Sequence, residues 1–388
     1  MPNGSPAIWI LLLVPMSALV AAPLCALVLR LSRRLGAFDT PGVAGQVKAP
    51  ARRVPNTGGI GVFWGVTLPL ALGLGVIALA GGALGDRLPE SIAVHLEGAR
   101  ERVPLGVVLL LALGALHAVG LVDDRRPLGP WVKLAIMLAC GLAVALTQET
   151  RLLTALDAHV GGAWLSIAIT VLWFVVVTNA LNFLDNMDGL SAGVTAIAGA
   201  CFLATALLGA QWFVAGVLAL LVGSCLGFLM FNFPRARLFL GDGGSLVLGF
   251  LLAFCTVRTT YYAGETGLGF ADHPAVVLMP LVVLAVPLYD LVTVTLIRLR
   301  QGRSPLVGDL QHLSHRLVRR GLSRTWAVVV IWGFTGATGL AGIALGATRG
   351  WAGGIIFLQI ALLLGVLAIF EYASSPARTE NPAREGGA

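Results

Sequence analysis

Long apolar stretches alternate with short polar connections along the chain. Most stretches run for about 17 to 25 residues, the length that an α-helix needs to cross a bilayer. Because the apolar residues are continuous rather than alternating, a transmembrane β-barrel is excluded. The pattern predicts an all-α, polytopic membrane protein with about eleven transmembrane helices. The predicted spans lie near 7–29, 58–84, 104–122, 131–147, 163–181, 190–209, 212–231, 239–257, 274–297, 326–346 and 351–370.

Composition agrees with this fold class. Of the 388 residues, 57% are hydrophobic and 12% are charged, and the mean hydropathy is +0.89. A soluble protein of this length could not bury so much apolar surface. We expect one multi-span transmembrane domain over residues 1–372, followed by a polar, disordered cytoplasmic tail over 373–388. The five cysteines fall inside predicted spans, so we interpret them as buried apolar residues rather than disulfide partners.

The basic residues predict the orientation. If the spans alternate in direction, twenty of the 26 Lys and Arg residues fall on one side of the membrane and six on the other. The richer side is predicted to be the cytoplasm, which places the N-terminus outside and the C-terminus inside. The first span has no basic residue before it and is longer than a signal-peptide core, so we expect it to be retained. Charges that serve as topology signals do not indicate nucleic-acid binding.

The acidic residues on the predicted cytoplasmic side are, ahead of the C-terminal tail, all aspartates. The densest polar stretch, NALNFLDNMDGLSAG over 179–193, carries Asn182, Asp185 and Asp188 between two apolar spans. Carboxylates at a membrane boundary cost several kcal/mol of desolvation unless they bind a cation or a polar ligand. This stretch predicts a functional site assembled from several loops. An ordinary solvated loop is the alternative.

An adjacent pair of acids, Asp123 and Asp124, ends the third predicted span in the sequence VDDRR. Two neighbouring carboxylates repel each other, and a shared Mg²⁺ would relieve that repulsion. The alternative is a solvated helix end with Arg125 and Arg126 as counterions. Farther along, Asp242 lies in FLGDGGS where a helix should begin. Its position suits metal ligation, and it suits N-capping equally well.

The first cytoplasmic loop contains Lys48 and then PNTGG, which opens the second span. Glycines at a helix start and a nearby lysine could hold a phosphate. Taken alone, the stretch is better interpreted as a positively charged cytoplasmic loop with a turn. The last large cytoplasmic loop contains His312, His315 and Arg316. Two histidines could bind zinc, but the surrounding arginines favour an anion such as a diphosphate. An amphipathic helix lying on the membrane surface is the alternative for this loop.

Five motifs in this order resemble the polyprenyl-phosphate N-acetylhexosamine-1-phosphate transferases. The resemblance runs from about Phe38 to Arg324, and it is strongest to the branch that transfers GlcNAc 1-phosphate from UDP-GlcNAc to undecaprenyl phosphate. The motifs are Lys48 with PNTGG, VDDR with Lys133, NxLNFLDNMDGL, NxPxxxxFLGDGGS and GRSPxxxDxxHLSHRL. The chain departs from many relatives at Val47 and Pro50, where a basic residue and a histidine are common.

The resemblance implies a role for each matching residue. Asp123, Asp124 and Asp242 would be catalytic and would hold or neighbour Mg²⁺, with Mn²⁺ as the alternative ion. His312 and His315 would be catalytic and, with Arg316, would lie over the sugar diphosphate. Residues implied to bind the nucleotide are Lys48, Asn182, Asp185, Asp188, Asn232 and Phe239, and Phe239 would stack on uracil.

The implied reaction moves a sugar 1-phosphate from a UDP-N-acetylhexosamine to a polyprenyl phosphate and releases UMP, in the cytoplasmic membrane of a bacterium. A homodimer is a further candidate assembly. Asp123 or Asp124 would either remove a proton from the lipid phosphate or attack first. Two other classes fit parts of the sequence. An intramembrane aspartyl protease is suggested by Tyr289-Asp290 and Gly241-Asp242, although in the reverse order, and a secondary transporter would fit eleven helices. The sequence gives Asp290 no clear role.

Overall fold

A computed structural model describes residues 6–38, 53–85, 89–147, 150–261, 277–304, 309–347 and 351–372. Over these ranges the protein consists of helices, turns and irregular segments without a β-strand, which confirms the all-α prediction. The predicted tail at 373–388 lies outside the described residues. The helices are α1 (Ala7–Arg34), α2 (Gly58–Gly85), α3 (Glu90–Ala93), α4 (Leu96–Glu101), α5 (Val103–Asp123), α6 (Pro130–Ala145), α7 (Asp157–Val160), α8 (Trp164–Phe183), α9 (Leu190–Leu208), α10 (Trp212–Asn232), α11 (Asp242–Tyr261), α12 (Met279–Val283), α13 (Ala285–Arg300), α14 (Leu313–Arg319), α15 (Arg324–Ala347) and α16 (Ala352–Tyr372).

Nine of the described helices are long and apolar enough to cross a membrane: α1, α2, α5, α8, α9, α10, α11, α15 and α16. Two other predicted spans differ from that pattern. Helix α6 has 16 residues, so it is about 24 Å long and shorter than a hydrocarbon core of about 30 Å. The predicted span 274–297 is a broken helix, α12 and α13. The count of eleven depends on these two segments and stays a prediction.

The break between α12 and α13 has a local cause. Pro287 has no backbone N–H, so the Val283 carbonyl cannot receive the helical hydrogen bond from that position. Helix α12 accordingly ends at Val283, and α13 begins two residues later at Ala285. Helix α13 then continues to Arg300 and carries Asp290 toward the end of the bundle where the polar loops lie.

Helix α11 forms the centre of the bundle. Its membrane-spanning window is 94% buried, whereas the windows of α1 and α16 are only 22% buried. Helices α2, α5, α8 and α9 pack around α11. Because α5 ends and α11 begins at the same end of the bundle, their terminal polar residues meet there. We call this the site end.

Candidate active site

The end of α5 lies directly against the start of α11. A Cβ atom added to Gly120 would lie 2.5 Å from the Asp242 carbonyl and 2.5 Å from the Gly243 nitrogen, so a side chain at 120 would not fit. Gly120 therefore lets the two helix backbones touch. This contact brings Asp123 and Asp124 beside Asp242.

Asp124 caps helix α11 from the neighbouring helix. Its Oδ1 accepts hydrogen bonds from the Asp242 backbone N–H (3.0 Å) and the Asn56 side chain (2.9 Å), and its Oδ2 accepts one from the Gly243 N–H (3.1 Å). These N–H groups have no partner within the helix. The N-cap role considered for Asp242 thus belongs to Asp124. Burial, followed by the charge of Asp242, raises the pKa of Asp124 to about 7, although the three donors act in the opposite direction.

Lys133 connects the two other acids. Its Nζ atom lies 3.0 Å from Oδ2 of Asp123 and 2.7 Å from Oδ2 of Asp242. Asn182 donates to the other oxygen of Asp242 (2.9 Å), and the Leu128 N–H donates to Oδ1 of Asp123 (2.8 Å). Every carboxylate oxygen of these two acids therefore has a donor, and helices α5, α6, α8 and α11 each contribute to the arrangement.

We call Asp123, Asp124, Asp242 and Lys133 the Asp cluster. The sequence offered Arg125 and Arg126 as counterions of the acid pair at a solvated helix end. Both arginines are exposed, and the cation that contacts the acids is Lys133. The acids are only partly exposed. The interpretation of a solvated helix end is therefore wrong on two points: the counterion is Lys133, and the acids are not fully in water.

The donor chemistry of the Asp cluster fits a hard divalent cation. Its three carboxylates offer only oxygen donors, which Mg²⁺ and Mn²⁺ prefer. Two of them already share one positive charge, that of Lys133. Among the residues that the structure describes, no three His, Cys, Asp or Glu side chains form a ready metal-binding group. A cation at Asp123 and Asp242 would therefore compete with the Lys133 ammonium.

The loop between α8 and α9 is joined to the loop before α11. Oδ2 of Asp188 accepts a hydrogen bond from the Ala236 N–H (2.9 Å). Asp185 accepts one from the Gly241 N–H, while withdrawal from water and then the charges of Asp242 and Asp124 raise its pKa well above the ordinary value. The 179–193 stretch thus lies at the site end, in contact with α11.

Asn232 fixes the same pair of loops from the end of α10. Its side-chain oxygen accepts the Gly189 N–H (2.6 Å), and its amide donates to the Leu238 carbonyl (2.9 Å). The side chain is buried and both its ends are used within the protein. In this structure Asn232 shapes the loop that carries Phe239, whose own side chain is half-buried.

The PNTGG motif packs against this loop instead of leaving its N–H groups free. Gly58 N–H donates to the Phe239 carbonyl (2.8 Å), and Gly59 N–H donates to the Leu240 carbonyl (2.9 Å). A Cβ atom on Gly59 would lie 2.3 Å from the Gly244 nitrogen. Gly59 therefore permits close contact between α2 and α11. The N–H groups of Gly58 and Gly59 are used within the protein, which favours the loop interpretation of this helix start over a phosphate cradle. Lys48, the other residue predicted there, lies outside the described residues.

His312 is held by a buried carboxylate that the sequence left without a role. Its Nδ1 lies 2.8 Å from Oδ2 of Asp290, and Oδ1 of Asp290 accepts the Leu313 N–H (2.6 Å). Asp290 is fully buried. The Nδ1–H of His312 donates to Asp290, which fixes the ring orientation and leaves Nε2 beside the Arg298 guanidinium. His312 precedes α14, so only His315 lies within that helix.

Arg298 and Asp309 complete this network, and the sequence analysis did not select them as site residues. Nη2 of Arg298 lies 3.0 Å from Oδ1 of Asp309 and 3.4 Å from Nε2 of His312. The guanidinium also lies over the Phe183 ring, 5.3 Å from its centroid. The signal that could have found Arg298 is a basic residue within the last turns of an otherwise apolar span.

Arg316 has a partner that the sequence did not predict. Its Nε donates to Oε2 of Glu371 (3.0 Å), its Nη2 donates to Thr293 (3.0 Å), and its Nη1 donates to the Gln311 carbonyl. Arg316 and Glu371 are both buried. His315 is half-buried, and desolvation followed by the charges of His312, Arg319 and Arg324 lowers its pKa to about 4.

We call residues 309–319 the His segment. It meets the 179–193 stretch at two points. The Ser314 hydroxyl donates to Oδ1 of Asn186 (2.5 Å), and the His312 ring lies edge-on to Phe183 with centroids 5.7 Å apart. Since Asn182 near the end of α8 contacts Asp242, the His segment and the Asp cluster share the end of helix α8.

Known proteins resemble this chain over most of its length. The model of glycosyl transferase family 4 matches residues 106–260. A probable undecaprenyl-phosphate N-acetylglucosaminyl 1-phosphate transferase of Bacillus subtilis (strain 168) is 27% identical over 356 residues, 91% of this chain and 89% of that protein. A decaprenyl-phosphate N-acetylglucosaminephosphotransferase of Mycolicibacterium smegmatis is 33% identical over 335 residues, 81% of this chain and 76% of that protein.

A third relative is the undecaprenyl-phosphate alpha-N-acetylglucosaminyl 1-phosphate transferase of Escherichia coli (strain K12). It is 27% identical over 241 residues, 59% of this chain and 62% of that protein. The matched regions contain the Asp cluster, and the longest match covers nearly the whole bundle. The chain therefore belongs to glycosyl transferase family 4, among the polyprenyl-phosphate N-acetylhexosamine-1-phosphate transferases that its motifs resemble.

Proposed function

We propose that this protein transfers GlcNAc 1-phosphate from UDP-GlcNAc to a polyprenyl phosphate and releases UMP. The proposal follows from its family and from the names of its relatives, which act on undecaprenyl or decaprenyl phosphate. The observation that carries it is the meeting of Asp123 and Asp242 at Lys133, with Asp124 against the Asp242 backbone, at the end of a membrane bundle. A lipid phosphate reaches such a site with its head while its prenyl chain stays in the hydrocarbon.

In the proposed reaction an oxygen of the lipid phosphate attacks the β-phosphorus of the nucleotide sugar. A new P–O bond forms, the bond from the β-phosphorus to the bridging oxygen breaks, and UMP leaves with that oxygen. Asp123 or Asp124 would take any proton carried by the attacking phosphate. Lys133 would stabilise negative charge that develops on the transferred phosphoryl group. When bound, Mg²⁺ held by Asp123 and Asp242 would neutralise the diphosphate.

The nucleotide would occupy the region between the two joined loops. Asp185, Asp188 and Phe239 lie there, and the half-buried Phe239 ring would stack on uracil. Asn232 would act through the shape of this loop, because both ends of its side chain contact backbone groups. His312 and His315 would face the sugar diphosphate from the His segment.

The two other classes have less support. In an aspartyl protease two carboxylates share one proton, but Asp290 is hydrogen-bonded to His312 and Leu313, while Asp242 is hydrogen-bonded to Lys133 and Asn182. A transporter would place its ionisable groups near the middle of the membrane. The members of the Asp cluster lie at helix ends, as an enzyme acting on a lipid head would require. Asp290, which lies within α13, is the main exception.

A lipid-transfer assay tests the proposal. Purified protein in detergent is incubated with radiolabelled UDP-GlcNAc, Mg²⁺ and undecaprenyl phosphate, and label in the lipid phase is measured with UMP release. We expect the two products in equal amounts and loss of both in EDTA, with recovery on adding Mg²⁺ or Mn²⁺. Full activity in chelator would remove the metal from the proposal. Absence of transfer with UDP-GlcNAc, but transfer with another UDP-N-acetylhexosamine, would correct the sugar.

We also propose that the site end faces the cytoplasm of a bacterial inner membrane, as the distribution of basic residues predicts. Single cysteines at Arg303 and at Glu97, both exposed, would report the two sides. The five native cysteines are buried, so background labelling should be low. A membrane-impermeant maleimide applied to intact cells should label position 97 and spare position 303. Labelling of both positions would contradict the number of spans between them.

A further inference from the structure

Arg316 and Glu371 form an ion pair that is closed to water. The two residues keep 6% and 3% of their accessible surface, and their side chains meet at 3.0 Å. Arg316 belongs to α14 in the His segment, and Glu371 belongs to the last turn of α16, 55 residues later in the chain. A buried pair costs desolvation energy that its attraction only partly offsets. Its presence therefore calls for an explanation other than stability.

Several groups converge on Glu371. Beside Arg316, the Tyr289 hydroxyl donates to Oε2 (3.2 Å), and Nε of Arg320 donates to the Glu371 backbone carbonyl (2.9 Å). Helix α16 is otherwise peripheral, with only 22% of its window buried. The end of this outer helix is thus fastened to the His segment and to α13 by polar contacts.

The guanidinium of Arg316 has little capacity left for a substrate. Its Nε donates to Glu371, its Nη2 to Thr293 and Glu371, and its Nη1 to the Gln311 carbonyl. Two-pronged recognition of a phosphate needs a pair of parallel N–H groups on one edge of the guanidinium. Here each of the three nitrogens donates to the protein.

We propose that Arg316 and Glu371 are positioning residues: the last membrane helix holds the His segment in place through this pair, and Arg316 does not bind the diphosphate. The consequence for catalysis rests on the proposed function, since the residues being positioned are His312 and His315. The consequence for structure does not rest on it. Loss of either partner should loosen the segment, and loss of both should loosen it less.

The test is a double-substitution cycle with Arg316→Met, Glu371→Met and the two combined. Each single change leaves one buried charge without its partner, whereas the combined change leaves two apolar side chains. We expect each single variant to lose about tenfold or more in kcat, with the combined variant returning to within about threefold of wild type. If Arg316 binds the diphosphate, Glu371→Met should stay near wild type. The combined variant should then be as poor as Arg316→Met, with a raised KM for UDP-GlcNAc.

A second readout needs no activity. Leu317 is 1% exposed and lies next to Arg316, so a cysteine placed there reports opening of the segment. Maleimide labelling of Leu317→Cys should be slow in the wild-type background, at least about tenfold faster with either single change, and slow again with both. The half-buried pair Arg151 and Asp157, which lies outside the His segment, supplies control changes that should alter neither readout. Equal labelling rates in all backgrounds would overturn the proposal, whatever the transfer assay shows.

Discussion

The Asp cluster and the His segment lie at the same end of the bundle but are built differently. In the Asp cluster the side chains of Asp123, Asp242 and Lys133 keep 14%, 24% and 22% of their accessible surface. In the His segment, the His312 side chain keeps 6%, and its partner Asp290 in α13 keeps 0%. The Asp cluster is open enough for a ligand to enter, whereas His312 is enclosed beside a carboxylate from a neighbouring helix.

This difference separates residues that meet the substrate from residues that support them. Oxygens of the Asp cluster accept hydrogen bonds from an ammonium group and from amides. A cation can replace these donors at the carboxylates, and a phosphate can replace the carboxylates as the acceptor. Asp290 instead accepts hydrogen bonds from His312 and from a backbone N–H group, and Glu371 accepts one from Arg316. Four predictions use this contrast, and the largest effect is expected in the open cluster.

Asp242→Asn should reduce kcat on the order of a thousandfold, because a neutral amide would hold the divalent cation and Lys133 less firmly where they neutralise the reacting phosphates. The protein should remain folded, since the amide has the same shape. The transfer assay measures the loss. Asp157→Asn makes the same chemical change in the pair with Arg151, outside the Asp cluster, and should leave kcat unchanged. Wild-type turnover by Asp242→Asn would exclude it from the site.

His315→Gln should lower kcat on the order of a hundredfold, because His315 is half-exposed, unlike the buried His312, and is proposed to act on the diphosphate. Its kcat and its KM for UDP-GlcNAc are measured separately. The exposed His159 supplies a control in His159→Gln. If both constants of His315→Gln stay within about twofold of wild type, the His segment has only a structural role, and the Asp cluster alone acts on the substrate.

Asp290→Asn should lower kcat about tenfold, because the amide holds the His312 ring less firmly while the Asp cluster is untouched. If Asp290 acts through His312, the combined variant with His312→Gln should be no slower than His312→Gln alone. KM for UDP-GlcNAc should change little in either variant. Losses that multiply would show that Asp290 has a separate role.

The smallest effect concerns pH. The pKa of His315 is lowered from 6.5 to about 4, so the folded protein disfavours the charged imidazole. The resulting stability is fully present above pH 6.5 and is lost as pH falls toward 4. The thermal unfolding temperature, measured in detergent from pH 7 to pH 4, should therefore fall more steeply for wild type than for His315→Gln. Parallel curves would mean that His315 is not buried as the structure has it.

The sequence alone was sufficient to predict most of the long apolar helices and to select the three acids of the Asp cluster. Hydropathy averaged over about twenty residues is a local property, and the predicted spans agree with α1, α5, α8 and α10 to within a few residues, apart from the C-terminal end of α1. The motifs also selected Asp123, Asp124 and Asp242 before their contact was known. The interruption of the predicted span 274–297 could have been expected from Pro287, because proline acts on its own turn of helix.

Partners could not be predicted in the same way. Lys133 and Asp242 are 109 residues apart, and Arg316 and Glu371 are 55 apart. Which polar groups meet depends on how the helices are rotated and packed, and in a membrane the surfaces facing lipid and protein are both apolar. Hydrophobic periodicity therefore says little about rotation. Only the packing of α5 on α11, allowed by Gly120, made Asp124 a cap and gave Asp242 its lysine.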